Sequence, residues 1–465
     1  MKKKLKIRIE IISLFTFAII LLLIPFFIRF FNNEVLFTGG EFYYDLRTSR
    51  DLSNDIYWDS LENRLHKTSL FHYFLSFSTS FTETKYIIVS LAFGVLSLFM
   101  FFMIIKHFFE NRDVVIVSSF LFVLSPVFVY LFTSLNTYSL ATLLSLFFIY
   151  FFINKNYWSV PFLMLVSITD FSFFLIDVIL IIFYYFYTRE RMFFLGNLIS
   201  AIISFLLFSY YHKGFRIFEN LFSSPSFIVF FTSFGAEVGI AFFYLFLGLI
   251  GFFTIWKRRR EYIYFLVSII AVLLFSLFNE AGRIFLNFYL CLLAGIIVLF
   301  LIRRKWAIIT IKKFTLLLIF CGIIFSTSLY IDQIIKSEPK NELIESLSYL
   351  KNQESGVVLS HQSYGYFIEY FSDKQSYLDD SSVDYSNYFP LKDVEQKIFY
   401  SRNLETTQSL LEENGIEYIL VTSEMKKGIV WKRESEGLLF LLENSLVFEK
   451  IHSTKGIEVW KVLYE

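Results

Sequence analysis

The chain has 465 residues, 56% of them hydrophobic, with 63 phenylalanines and a mean hydropathy of +0.59. A water-soluble core cannot hide that much apolar surface, so composition excludes an ordinary soluble globule and requires lipid around the chain. A formal charge of +1 gives no basic patch for nucleic acid, and both cysteines, Cys291 and Cys321, lie in apolar runs, where no disulfide framework is expected.

The lysines of Met1-Lys2-Lys3-Lys4-Leu5-Lys6 precede an apolar run from Ile9 to Phe31 that is too long for a signal-peptide core and lacks a small-residue cleavage site, so it is expected to be an uncleaved first helix. Runs of membrane-spanning character follow near 86–105, 114–132, 137–153, 158–169, 172–187, 192–211, 238–256, 262–278, 284–302 and 314–331. The stretch from Ser159 to Tyr187 around Asp170 is too long for one upright helix and short for two. Eleven crossings is therefore the expected count, with nine or ten as alternatives. Basic residues fall on alternate connections: the N-terminal lysines, Lys106 with Arg112, Arg189 with Arg191, Lys257 to Arg260, and Arg303 to Lys305. The positive-inside rule makes these cytoplasmic and puts the 32–85 loop and everything after Ile331 outside. The expected protein is a multi-pass α-helical protein of the cell membrane.

Within the first external loop, Leu70-Phe71-His72-Tyr73-Phe74-Leu75-Ser76-Phe77 is amphipathic and too short to span, which predicts a segment lying along the interface. From about Lys336 charges become frequent and apolar runs shrink to strand length. Strands are predicted at Gly356–Ser360 and Ile416–Thr422, short helices at Tyr364–Phe371 and Leu404–Asn414, and a hairpin over 446–463 turning at Lys455-Gly456. The division is thus a transmembrane part, 1–335, and a small extracytoplasmic α/β domain, 336–465.

The same loop opens with Gly39-Gly40-Glu41-Phe42-Tyr43-Tyr44-Asp45-Leu46-Arg47. A carboxylate at a membrane edge can take a proton, and an arginine beside it can hold a phosphate. The plainer reading is a solvated face made by Glu41, Asp45, Arg47, Arg50, Asp51 and Asp55. Glycines beside an acid and three aromatics argue instead for a close approach. Asp170 and Asp177 lie in or beside apolar runs, where a carboxylate is a functional candidate or a group paired inside the bundle. Single histidines His72 and His361 lack a second ligand at metal spacing.

The order Gly40-Glu41-x-Tyr43-Tyr44-x-Leu46-Arg47, followed by Leu70-Phe71-His72-Tyr73, resembles the first external loop of GT-C membrane glycosyltransferases, in particular the archaeal oligosaccharyltransferase catalytic subunit. Leu124-Ser125-Pro126, Ala281-Gly282-Arg283, His361-Gln362-Ser363-Tyr364-Gly365-Tyr366-Phe367-Ile368 and Leu410 to Val421 resemble that family in collinear order. The resemblance implies sugar transfer from a polyprenyl-phosphate-linked donor to a glycan or protein acceptor on the external face. It implies Glu41 as general base or metal ligand and Arg283 on the carrier phosphate. Tyr44, Asp45, Arg47, His72, Glu237 and Tyr364 become candidate substrate contacts. Snorkelling at a helix end explains Arg283 equally well, and a favourable helix dipole explains Glu237. The sequence also departs from the family. The loop Thr133-Ser134-Leu135-Asn136-Thr137-Tyr138-Ser139 has no carboxylate where the family carries a second acid, so support for a bound divalent cation is weak. His361-Gln362-Ser363 replaces the family's Trp-Trp-Asp, which removes the expected sequon pocket. A non-catalytic relative that binds lipid carrier or glycan, or serves in a membrane assembly, is the competing reading. A transporter is a weaker one, for want of interrupted helix pairs.

Overall fold

The computed structural model describes residues 2–66, 68–77, 83–188, 191–211, 240–384, 387–433 and 435–464. The bundle contains α1 (Lys2–Phe31), α4 (Glu83–Phe108), α5 (Arg112–Val123), α6 (Pro126–Ser134), α7 (Thr137–Ile153), α8 (Ser159–Thr169), α9 (Phe171–Thr188) and α10 (Arg191–Tyr211). It continues with α11 (Phe242–Trp256), α12 (Arg259–Ser276), α13 (Glu280–Arg303) and α14 (Ile309–Lys336). Two short helices, α2 (Gly40–Ser53) and α3 (Leu70–Ser76), and a two-stranded ribbon, β1 (Trp58–Asp59) with β2 (Arg64–Leu65), occupy the first loop. Among the described residues four helices are long and apolar enough to cross a membrane, or five if the bent α5–α6 pair is one span, and six shorter apolar helices accompany them.

Helix α13 is the axis of the bundle. Two-thirds of its most apolar window is buried, and small residues let its neighbours come close. A Cβ on Gly251 of α11 would sit 2.9 Å from the Leu293 carbonyl oxygen, and one on Gly295 would sit 2.9 Å from Ser118 Cα of α5.

The breaks have local causes. The expected single helix over 114–132 is two helices bent by 57°. Pro126 offers no N–H to continue the ladder, and Ser125 Oγ accepts the Phe128 N–H at 3.2 Å to start the next helix. The ambiguous stretch around Asp170 is also two helices, because the Asp170 carboxylate accepts the Phe173 N–H at 2.9 Å. Asp177 is fully buried with the Ser145 hydroxyl 2.6 and 2.7 Å from its two oxygens, a paired group inside the bundle.

The tail holds a four-stranded mixed sheet in the order β3 (Val357–Leu359), β4 (Ile416–Thr422), β6 (Ile457–Val462), β5 (Phe448–Thr454), with β3 and β4 parallel and the other pairs antiparallel. Ile419 faces Trp460 and Leu420 faces Val459 across β4 and β6. Helices α15 (Asn341–Lys351), α16 (Gly365–Ser372), α17 (Tyr388–Tyr400) and α18 (Leu404–Glu413) accompany it; α15, α17 and α2 were not expected. Arg29, fully buried at the end of α1, fastens the bundle to the chain entering the tail. Its guanidinium donates to the carbonyls of Val35 (2.7 Å), Ile335 (3.0 Å), Ser337 (2.9 Å) and Pro339 (2.7 Å).

Candidate active site

The chain enters α2 through Gly39, whose φ of +87° is available to glycine without strain. At Gly40 a Cβ would lie 3.0 Å from the Tyr366 ring, so a bare backbone is what lets α16 approach. Glu41 then stands in the first turn of α2. Its side chain is open to solvent, with the Asn136 amide against one carboxylate oxygen.

Asn136 points at this carboxylate because of its own local structure. It is the N-cap of α7: Oδ1 accepts the Ser139 N–H at 3.3 Å, and the Ser139 hydroxyl accepts the Asn136 N–H at 3.1 Å. With the oxygen committed to the cap, the amide nitrogen faces outward, donating to Glu41 Oε2 at 2.9 Å and to Tyr130 Oη at 3.1 Å. Glu280, whose charge acts on Glu41, stands in the first turn of α13, whose N-cap Asn279 accepts the Ala281 N–H at 2.8 Å. Three helix N-termini, those of α2, α7 and α13, therefore meet around Glu41, and their dipoles favour negative charge there. Even so, Glu41 titrates at about 8, raised first by desolvation and then by Glu280, against the lowering effect of the Asn136 amide. Asp45 and Asp380 add smaller upward effects.

One turn along α2, buried Asp45 lies 2.9 Å from His72 Nε2 of α3. Because His72 Nδ1 accepts the Ser69 N–H at 2.9 Å, a neutral ring carries its proton on Nε2, facing Asp45. The Asp45 carboxyl also accepts from the Thr137 backbone at the start of α7; burial still raises it above the usual range. Tyr44 meets His72 edge-on at 6.0 Å and lies 4.8 Å from Tyr366. The structure thus brings Glu41, Tyr44, Asp45 and His72 together on α2 and α3. The amphipathic segment around His72 is α3, packed on α2 with Phe71, His72 and Leu75 buried.

Arg47 faces elsewhere. Its guanidinium binds Asp59 at 2.5 and 3.3 Å and Glu369 of α16 at 2.7 Å, all three buried. Beside it Arg64 binds Asp379, so two arginines fasten the first loop to the tail. Tyr364 donates to Glu424 at 3.0 Å and accepts from Thr422 at 3.0 Å inside the tail; the neighbouring Tyr366 reaches Tyr44, and Phe367, Tyr370 and Phe371 pack on Tyr43. Arg283 is buried one turn beyond Glu280, with Nε 3.4 Å from the Ser276 carbonyl. Glu237 lies outside the described residues.

Sequence reading missed Glu280, Asn136 and Tyr366. Asn136-x-x-Ser139 is a readable capping pair, but only the fold aims its amide at Glu41. Glu280 directly precedes Ala281-Gly282-Arg283 and was passed over because its partner is far away in sequence.

No family model matches the sequence, and no curated protein matches it. Solved structures do. The oligosaccharyltransferase AglB of Archaeoglobus fulgidus, solved with an inhibitory peptide and a dolichol-phosphate, aligns over 97% of this chain and 74% of its own, at 12% identity and a TM-score of 0.61. The chain has the GT-C fold. ArnT from Cupriavidus metallidurans aligns over 97% of both chains, at 10% identity and a TM-score of 0.55. The mycobacterial arabinofuranosyltransferase AftD aligns over 97% of this chain and 40% of its own, at 13% identity and a TM-score of 0.57. At these identities the GT-C likeness carries the fold and leaves the activity to the site.

The Archaeoglobus enzyme has also been solved with zinc and sulfate. Among the described residues no three His, Cys, Asp or Glu side chains group as a metal site. Asn136 turns its amide nitrogen, not its oxygen, toward Glu41. Glu41 and Glu280 alone do not satisfy the several hard oxygen ligands of a tightly held divalent cation.

Proposed function

We propose that the protein is a glycosyltransferase that moves a sugar from a polyprenyl-phosphate-linked donor to an acceptor on the external face of the membrane. In this reading the chain crosses the bilayer eleven times, with residues 32–85 and 336–465 outside. Glu41 takes the proton from the acceptor nucleophile as that atom bonds to the anomeric carbon. The bond from that carbon to the phosphate oxygen breaks, and the phosphate leaves with the electron pair. Arg283 neutralises it with a planar, permanently charged donor, aided by the helix N-termini. The observation that carries the proposal is the accessible Glu41 carboxylate, held by Asn136 where three helix N-termini meet within a GT-C fold. A carboxyl titrating near 8 is an effective base at slightly alkaline pH. We keep Tyr44, Asp45 and His72 as the wall on which the substrate rests, and give Arg47 and Tyr364 the task of holding loop and tail in place.

One observation favours the non-catalytic alternative: an amide, Asn136, faces Glu41 from the loop where the resembled family carries a second acid. Membranes carrying parent or Glu41→Gln protein, given a labelled polyprenyl-phosphate sugar, separate the two. Transfer by the parent and its loss in the variant supports catalysis. Equal transfer by both removes Glu41 from the chemistry, and lipid binding without transfer in either supports the non-catalytic reading.

A further inference from the structure

Where the first loop meets the tail, a cleft of about 330 Å³ is lined by Glu62, Arg64, Val357, Gln375, Tyr377, Ser382, Asn387, Leu391 and Asn414. We propose that this cleft is a second binding site, for a neutral saccharide unit, separate from the site around Glu41.

Its floor is rigid. Val358 N–H donates to the Gln375 carbonyl and Tyr377 N–H to the Val358 carbonyl, both at 2.9 Å, so the 375–377 segment extends the sheet beside β3. Side chains on such a support are held in place without further ordering on binding. The Tyr377 hydroxyl donates to Asn414 Oδ1 at 3.2 Å, and Asn414 Nδ2 donates to the Leu410 carbonyl at 2.7 Å. The side-chain amides of Gln375 and Asn387, in contrast, have no hydrogen-bond partner among the described residues. The Glu62 carboxyl is not free in the same way, because it shares a hydrogen bond with the buried Glu369 carboxyl.

The chemistry of the wall selects the ligand. Carboxamides, hydroxyls and a carboxyl offer donors and acceptors in mixed order, which suits vicinal hydroxyls. Val357, Leu391 and the Tyr377 ring give an apolar side for the C–H face of a sugar ring. An anion is disfavoured, because the Arg64 guanidinium is committed to Asp379 and to the Ser381 and Ser382 hydroxyls. The volume falls at the lower end of small-molecule sites, roughly 300–1,000 Å³, a size for a single sugar ring with its water. The 379–382 turn separates the two sites, with Ser382 on the cleft and Asp380 acting on Glu41 from the other side.

Saturation-transfer difference NMR tests this on the full chain in detergent micelles, with methyl glycosides of glucose, galactose, mannose and N-acetylglucosamine as probes. At least one glycoside should show signal with the parent. The double substitution Gln375→Ala with Asn387→Ala should weaken it at least about tenfold, while Glu449→Gln, exposed on the edge strand β5, leaves it unchanged. Absence of signal for every glycoside, persistence in the double variant, loss in Glu449→Gln, or competition by inorganic phosphate would each overturn the inference. None of these outcomes depends on whether Glu41 is catalytic.

Discussion

Glutamate 280 should govern when Glu41 becomes a base. The Glu41 carboxyl titrates at about 8, and after desolvation the charge of Glu280 is the largest upward influence, opposed by the Asn136 amide. A unit charge acting on a neighbour through solvent-exposed surroundings is worth roughly 1–2 kcal/mol. Glu280→Gln should therefore lower the Glu41 pKa by about one unit. Asn136→Ser keeps an oxygen that caps α7 and removes the Nδ2 donor, so it should move the same titration upward by a similar amount. The readout is the protonated-carboxyl band in infrared difference spectra over a pH titration, with Glu41→Gln as the subtraction that identifies the band. Shifts of opposite sign are required. An unmoved titration in Glu280→Gln, or a downward shift in Asn136→Ser, would refute the assignment of the cavity's electrostatics.

Arg47→Ala leaves Asp59 and Glu369 buried without their partner and should cost about 3–5 kcal/mol, seen as a lower midpoint in thermal unfolding and faster proteolysis between loop and tail. Arg29→Lys replaces a planar fork with a point charge, cannot serve the same four carbonyls, and should cost about 1–3 kcal/mol in the same melt. Glu62 titrates at about 7 rather than 4.5, through burial first and Asp379 second. Its raised pKa means the folded state holds a proton that the unfolded chain has released. Stability should therefore fall as pH rises from about 4.5 to about 7 and level off above, and Glu62→Gln should flatten that slope in melts taken across the range.

The bundle was legible because lipid demands long apolar runs, and the tail strands because alternation survives in short segments such as 416–422. The ends of these elements were set by single polar groups: Ser125 and Asp170 cap helices where hydropathy alone runs on. Helix α2 escapes a hydropathy reading because its buried face includes Asp45, Arg47, Thr48 and Ser49, which no apolar period reveals. The site was half legible. Glu41 stands out beside its glycines, whereas Glu280 is 239 residues away in the numbering and acts on it only through the packing of α13. Arg47 looked like an anion ligand because the carboxylates it binds, Asp59 and Glu369, could not be placed beside it from sequence.

Cryo-electron microscopy of the full chain with a polyprenyl phosphate tests the central claim most directly. The proposed reading puts the phosphate within hydrogen-bonding reach of the Arg283 guanidinium and opens its sugar-bearing side toward Glu41. A phosphate bound away from both residues, with Glu41 still closed against Asn136, would contradict it.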